Sequence, residues 1–408
     1  MKTFLVGGAV RDHLLNYPVR EKDWVVIGET AESMIKQGFI PVGRDFPVFL
    51  HPVSHDEYAL ARTERKTAPG YKGFTVHADP DVTLEQDLIR RDLTINAIAM
   101  DDQGNIFDPY NGQEDIEKRI FRHISPAFSE DPVRVLRIAR FAARYSHLGF
   151  TIADETIQLM KQMVSNGETD HLVAERVWAE LFKVLSEKTP SAFFYTLKEC
   201  NALASIFPEI DKLFGVPQPE KFHPEVDTGI HSLLSMEQAC LLSNKPEVRL
   251  AALLHDLGKA ETDQSKWPSH HGHEQLGLPV LNKFCRRLRI PKAFKSLAIQ
   301  VMNYHTHCHR ISELKASTLT DLLASLNAFK ANHSMVADFV LACEADSKGR
   351  TGLENNPYPQ SKYLLGAATA ANKVNTSSVL NGALKGSEIG DAIRQLRIRA
   401  VSQFIKSE

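Results

Sequence analysis

From residue 1 to about residue 125, short apolar runs of strand length alternate with short stretches of helical spacing. Phe4 to Val6, Trp24 to Ile27, Pro47 to Leu50 and Tyr58 to Ala61 are the predicted strands. From Asp131 onward the apolar positions recur with a helical period, as at Val133, Leu136, Ile138, Phe141 and Ala142, and again in Val173 to Leu185 and Val248 to Leu254. The pattern predicts an α+β chain, a small mixed α/β head followed by an all-helical remainder. Breaks are expected at Phe207-Pro208, across Val216-Pro217-Gln218-Pro219-Glu220 as a linker, and from Gly349 to Gln360, which holds two glycines and two prolines. There is no internal repeat and no low-complexity tract.

A length of 408 residues leaves room for two or more domains with separate cores. Charge changes the picture little: 48 basic against 50 acidic residues give a net of −2, so a nucleic-acid partner would be met by local basic patches. Cys200, Cys240, Cys285, Cys308 and Cys343 show no C-x-x-C spacing, which suits reduced thiols in the cytoplasm. No charged leader with a long apolar core opens the sequence, and no run of about eighteen apolar residues occurs. A cytoplasmic protein without membrane contact is the expectation.

Candidate chemistry starts at the N-terminus, where Phe4-Leu5-Val6 meets Gly7-Gly8, then Arg11-Asp12, then Glu21 and Asp23. A strand that ends in two glycines and turns into a helix lets backbone N–H groups approach a polyphosphate closely. Arg11 would lie one turn into that helix. Glu21 and Asp23, two apart at the start of Trp24-Val25-Val26-Ile27, fall on one face of a strand, the geometry for holding magnesium against a triphosphate. The same residues also describe an ordinary turn and a solvated strand start. The glycine spacing fits neither the dinucleotide nor the Walker pattern.

Arg90-Arg91-Asp92-Leu93-Thr94-Ile95-Asn96-Ala97 closes a helical stretch with adjacent arginines and an aspartate that can grip phosphate or ribose oxygens or form a helix-end salt bridge. Arg62-Thr63-Glu64-Arg65-Lys66, leading to Gly70 and Gly73, is a basic loop, either mobile surface or a substrate-closing segment. In Glu130-Asp131-Pro132-Val133-Arg134, Asp131, Arg134, Arg137 and Arg140 recur every three residues along one side of a helix, as an ion-pair ladder or as a site. An aspartate accepts and an arginine donates. Asp131 and Arg134 together match the amino donor and ring-nitrogen acceptor of cytosine and adenine and mismatch uracil and guanine, so a side-chain pair can act as template.

With these motifs in hand, the head, about residues 1 to 145, closely resembles the class II tRNA nucleotidyltransferases, the CCA-adding enzymes, which share it with bacterial poly(A) polymerases. The resemblance implies that Gly8 and Arg11 contact the incoming nucleotide, Glu21 and Asp23 the magnesium ions, and Arg91 the ribose or triphosphate. It further implies that Asp131 and Arg134 read the base while Arg137 and Arg140 face the triphosphate. Glu21 departs from the aspartate common in the family, and Glu57 is the candidate for a third carboxylate. The implied reaction is two-metal transfer from CTP and ATP to the 3′ end of tRNA with release of pyrophosphate.

Histidines cluster in the second half. His231, the pair His255-Asp256 with Gly258-Lys259, the runs His270-His271-x-His273 and His305-x-His307-x-His309, and Asp346 follow in that order. The order H … HD … H … D resembles the HD phosphohydrolases, whose imidazoles and carboxylates hold a divalent metal that activates water. By that resemblance His231, His255, Asp256 and Asp346 are the metal ligands, and Lys259 with one of the later histidines contacts phosphate. A head of this type joined to an HD domain is the arrangement of the CCA-adding enzymes of gammaproteobacterial type. It implies 2′,3′-cyclic phosphodiesterase and phosphatase activities, with nickel as the phosphatase metal.

The expected division is a nucleotidyltransferase head at 1–145, a helical neck and body at 146–224, an HD domain at 225–350 and a tRNA-contacting helical segment at 351–408. Monomer and homodimer both stay open. Two other functions compete with CCA addition and repair: a poly(A) polymerase, and an HD hydrolase whose head only senses nucleotides.

Overall fold

The computed structural model describes residues 1–19, 21–42, 47–66, 74–330, 334–380 and 384–408. Gly70 and Gly73 of the basic loop lie outside the described residues. The chain forms two compact units, one made of Met1–Val177 and Ala192–Ile206, the other of Trp178–Ser191 and Phe207–Glu408.

The first unit is built on a sheet whose strands run in the order Ile40–Pro41, Val48–Leu50, Glu57–Leu60, Asp23–Ile27, Lys2–Val6, Ala99–Met100, Ile106–Phe107. Lys2–Val6 pairs antiparallel to Asp23–Ile27, which pairs parallel to Glu57–Leu60. Alternation along these strands sends Val6 and Val25 into a core with Leu88, Ala97 and Ala99. Val26 and Leu60 pack on the opposite face with Met34, Phe39 and Phe49. All four predicted strands are therefore present, with ends shifted by a residue or two. The remainder is not wholly helical: Ile120–Phe121 pairs in parallel with Thr151–Ile152. Two residues are too few for a period-two pattern to register in sequence.

The second unit is a stack of helices. Thr228–Leu242 packs on Ser334–Lys348, and Pro246–Leu254 on Lys292–His309, around Leu233, Met236, Leu250, Leu253, Met302 and Phe339. Gly258 follows the His-Asp pair, and a Cβ there would meet the His273 carbonyl oxygen at 1.9 Å, so only glycine lets that turn lie against the start of the helix His273–Arg287. The segment 216–220 is no linker. Gln218 is 2 % exposed and accepts from Lys259 Nζ at 2.5 Å, while His270 Nε2 lies 2.8 Å from the Pro217 carbonyl oxygen as donor. Two prolines suggested a loose connection, yet the residue between them is pinned by a buried ammonium. The break at 349–358 is where expected, between the helices Ser334–Lys348 and Pro359–Asn372. All five cysteines are free. No described helix is long and apolar enough to cross a membrane.

Candidate functional sites

In the first unit the strand Lys2–Val6 ends at Gly7, whose φ of +66° turns the chain straight into the helix Gly8–Leu14. A Cβ on Gly7 would come within 2.9 Å of Arg91 Nη1. Sheet register sets the acidic group. Asp23 stands opposite Val6 on one side and Glu57 on the other, so the carboxylates of Asp23 and Glu57 neighbour each other on the Val25 face. The strand starts at Asp23, which leaves Glu21 in the approach to it rather than on the same strand face as expected. Glu21 is nonetheless close enough for its charge to act on both. Desolvation raises the Asp23 carboxyl, Arg91 and Arg137 pull it down, and Glu21 raises it further. Desolvation, then Asp23 and Glu21, raise Glu57. Three carboxylates under two guanidinium groups make a site for a divalent cation and a polyanion together.

The arginines divide by role. Asp87 anchors Arg90 Nη2 at 2.6 Å and Arg91 Nη2 at 3.1 Å; burial opposes its charge, but the two guanidinium groups hold it below its ordinary value. Arg137 Nε donates to Asp92 Oδ2 at 2.7 Å. Burial of Asp92 is outweighed by Arg137 and Asn96, which keep it ionised. Arg11, expected at the nucleotide, is 3 % exposed, donates to Asp12 and Asn96 at 2.9 and 2.5 Å, and lies over the Tyr145 and Phe141 rings. The helix turn that begins at Gly8 directs it onto the helix Val133–Tyr145. Arg140 is buried with its guanidinium over Phe141.

Asp131 does not continue the arginine stripe. Pro132 starts the helix Val133–Tyr145, and Asp131 stays extended before it, its Oδ1 accepting from Val133 N at 3.1 Å. Its carboxylate is held in a two-pronged pair by Arg176 at 3.0 and 2.8 Å. Arg134 donates to the carbonyls of Ala127 and Arg90 at 3.1 and 2.5 Å. The two residues of the expected base-reading pair thus face different protein partners. Sequence reasoning missed Arg176, and gave no role to Asn96 within the Arg90 to Ala97 segment. The only signal for Arg176 was a lone arginine in a predicted helix.

The second unit gathers the histidines. His231, His255 and Asp346 offer ligand atoms within 4.8 Å of one another, and so do His255, Asp256 and His305. Ring orientation is set by backbone carbonyls: Nδ1 of His255 faces Ala252 O at 2.7 Å, that of His273 faces His270 O at 2.9 Å, and that of His305 faces Val301 O at 3.0 Å. These contacts place the Nδ1 proton on the carbonyl side and leave the Nε2 lone pairs turned inward. Nε2 of His273 and of His305 then meet at 3.3 Å. Asp256 Oδ1 and Oδ2 are buried without a well-aligned hydrogen bond, Oδ1 lying 3.3 Å from His273 Nε2 and Oδ2 lying 3.0 Å from His255 Nε2 and 2.6 Å from Lys259 Nζ. Imidazole Nε2 atoms turned inward around the buried Asp256 carboxylate make a donor set that fits a divalent metal.

Burial penalises charge on Asp256, yet His255 and Lys259 hold it well below its ordinary value. Burial likewise works against Asp346, and His255 and His309 outweigh it. Burial and the charge of His255 push His305 well down. His231, His255, Asp256 and Asp346 are thus brought together. The sequence left open which later histidines join them; they are His273 and His305, with His309 Nε2 at 2.6 Å from Asp346 Oδ2. Glu225 was missed: its Oε1 lies 2.9 Å from His231 Nδ1 and 3.2 Å from His223 Nδ1. Nothing in the sequence singles out a glutamate six residues ahead of a candidate ligand.

Comparison with known proteins follows the same division. The poly A polymerase head domain family matches residues 3–122, the probable RNA and SrmB-binding site of polymerase A matches 149–214, and the HD domain family matches 228–332. The Multifunctional CCA protein of Teredinibacter turnerae is 59 % identical over 401 residues, covering 98 % of this chain and 97 % of its own length. That of Methylococcus capsulatus is 60 % identical over 404 residues, covering 99 % and 95 %. Among solved structures, the Bacillus stearothermophilus CCA-adding enzyme in complex with CTP aligns with a TM-score of 0.67 at 23 % identity, over 98 % of this chain and 89 % of that one. The Thermotoga maritima CCA-adding enzyme complexed with tRNA aligns with a TM-score of 0.61 at 19 % identity, over 100 % and 91 %. At those identities the likeness is one of fold. Relatives above half identity over essentially the whole length are a stronger finding, and by them the chain belongs to the multifunctional CCA protein family.

Proposed function

We propose that the chain adds and repairs the CCA end of tRNA in its head and hydrolyses phosphoesters in its HD domain. The observation that carries the transferase half is the register that sets Asp23 beside Glu57 within reach of the charges of Glu21, Arg91 and Arg137. In this reading Glu21 and Asp23, with Glu57, hold magnesium. The bound ions would supply Lewis-acid activation of the RNA 3′-hydroxyl and neutralise the departing pyrophosphate. Gly8 offers its backbone to the triphosphate, and Arg91 and Arg137 balance its charge. Arg11, whose Nη2 lies 3.4 Å from where a Cβ on Gly8 would stand, contacts the nucleotide, and Arg140 faces the triphosphate. Asp131 keeps lone pairs beyond the two that Arg176 occupies, so it accepts from a cytosine or adenine amino group while Arg176 fixes its direction, and Arg134 completes the pair from Ala127 and Arg90.

In the HD domain His231, His255, Asp256 and Asp346 hold the metal, for which nickel is proposed, and His273 and His305 extend the ligand set. Lys259 binds phosphate. The four-part division at 145, 224 and 350 is retained as the functional map. The partners proposed are tRNA, CTP and ATP, and the compartment the cytoplasm. Glu225 orients His231 by accepting from its Nδ1, as a carboxylate behind a ligand imidazole does. Glu225→Gln is expected to weaken nickel binding about 10–100-fold, read by titration calorimetry on the full-length protein. Unchanged affinity removes the orienting role.

The function is tested with tRNA lacking its last three nucleotides, labelled CTP and ATP. Addition of C, C and A that then stops is the expected result. A lengthening A tail would instead mean a poly(A) polymerase, and no incorporation a hydrolase with a sensing head.

A further inference from the structure

Cations are unevenly spread along this nearly neutral chain. Residues 275–312 hold no aspartate or glutamate, although 50 of the 408 residues are acidic, and they carry Lys283, Arg286, Arg287, Arg289, Lys292, Lys295 and Arg310. All but Arg310 fall in one place, the end of the helix His273–Arg287, the turn after it, and the start of the helix Lys292–His309. Lys283, Arg286, Arg289 and Lys292 are exposed, and Glu209 neutralises Arg287 at 2.6 Å. Stability explains only part of this. Arg286 and Arg287 favour the C-terminal end of their helix, but Lys292 and Lys295 open the next one, whose first turn has no acid, and there a positive charge opposes the helix dipole.

An independent observation lies alongside. Phe294, between those two lysines, packs edge-on against Trp178 and Phe182 with ring centroids 5.0 and 6.1 Å away, and Phe182 remains 42 % exposed. An accessible aromatic ring beside a row of cations suits a nucleobase and its backbone phosphates better than a lone anion. The same two helices carry His273 and His305 at their other ends. His305 lies thirteen positions after Lys292, about 20 Å at 1.5 Å per residue, a span that a few nucleotides of single strand can cross.

We propose that the turn 283–295 is an RNA-backbone grip belonging to the HD unit, so that the phosphoester delivered to the His-Asp cluster is the 3′ end of an RNA chain rather than a free nucleotide. The proposal rests on the phosphohydrolase reading above. The test uses full-length protein, a triple variant Lys283→Gln, Arg286→Gln, Lys292→Gln, and the milder Lys292→Gln. Two substrates are compared, 2′,3′-cyclic AMP and a short single-stranded RNA ending in a 2′,3′-cyclic phosphate. Hydrolysis of cyclic AMP should be unchanged in both variants. KM for the RNA should rise at least about tenfold in the triple variant, and the slope of log affinity against log salt should fall by about 2, at roughly 0.7 per lost phosphate contact. Lys292→Gln should lower that slope by about 0.7. Unchanged RNA affinity and slope, or equal losses on both substrates with Lys292→Gln, overturn the grip. If wild-type protein hydrolyses neither substrate, the phosphohydrolase reading fails, and the salt titration of RNA binding still decides the grip by the same slopes.

Discussion

An Asp23→Ala variant is expected to lose CTP and ATP incorporation by about three orders of magnitude or more, while hydrolysis of a 2′,3′-cyclic phosphate is retained. Asp23 is the carboxylate on which the head site converges: it stands in register with Glu57, Glu21 adds charge from the approach to the strand, and the charges of Arg91 and Arg137 act on it. Metal stabilisation of a phosphoryl transition state amounts to several kcal/mol, and each ~1.4 kcal/mol is about tenfold in rate. Asp23 begins its strand outside both apolar cores of the head, so removing its side chain opens no core cavity. Labelled-CTP incorporation on a trimmed tRNA and phosphate release from a cyclic nucleotide, run on the same preparation, give the result. Loss of both activities together, or survival of incorporation, would undo the separation of the two sites.

The mirror-image result is expected of Asp256→Asn. Hydrolysis should fall by about the same three orders of magnitude, by the same metal argument, and CCA addition should persist. Asp256 presents one oxygen to His273 and the other to His255 and Lys259, so the amide removes the negative charge that holds the cluster together. Asparagine is chosen over alanine because its amide oxygen can still accept from the buried Lys259 ammonium and its size leaves no cavity beside it. The stoichiometry of bound divalent metal, read by mass spectrometry, should drop with the activity, and a thermal melt separates metal loss from unfolding. Full hydrolysis with full metal content would mean that Asp256 is no ligand.

The strand at Asp23 and the helix at Val133 were legible because their apolar periods are regular and long enough to count. The spacing of Asp131 makes it the first step of a three-residue stripe, but helix geometry applies only after Pro132, and the preceding residue stays extended. At Arg11 a charge one turn into a helix behind two glycines suggests an anion ligand, and tertiary structure adds what packs around it, Tyr145, Phe141, Asp12 and Asn96, with its Nη2 3.4 Å from where a Cβ on Gly8 would stand.

By itself the sequence determined the order of chemical motifs, the change from strand to helical period near residue 130, and the residue types able to hold metal and phosphate, since each is a local property of neighbouring residues. Tertiary structure alone decided which distant side chains meet. Glu57 joins Asp23 through parallel register across 34 residues of chain, and His273 and His305 join Asp256 because Gly258 lets one turn touch another helix. Glu225 reaches His231 around a helix start. Such meetings depend on strand pairing and close packing between elements far apart in sequence, and no local period or spacing encodes them.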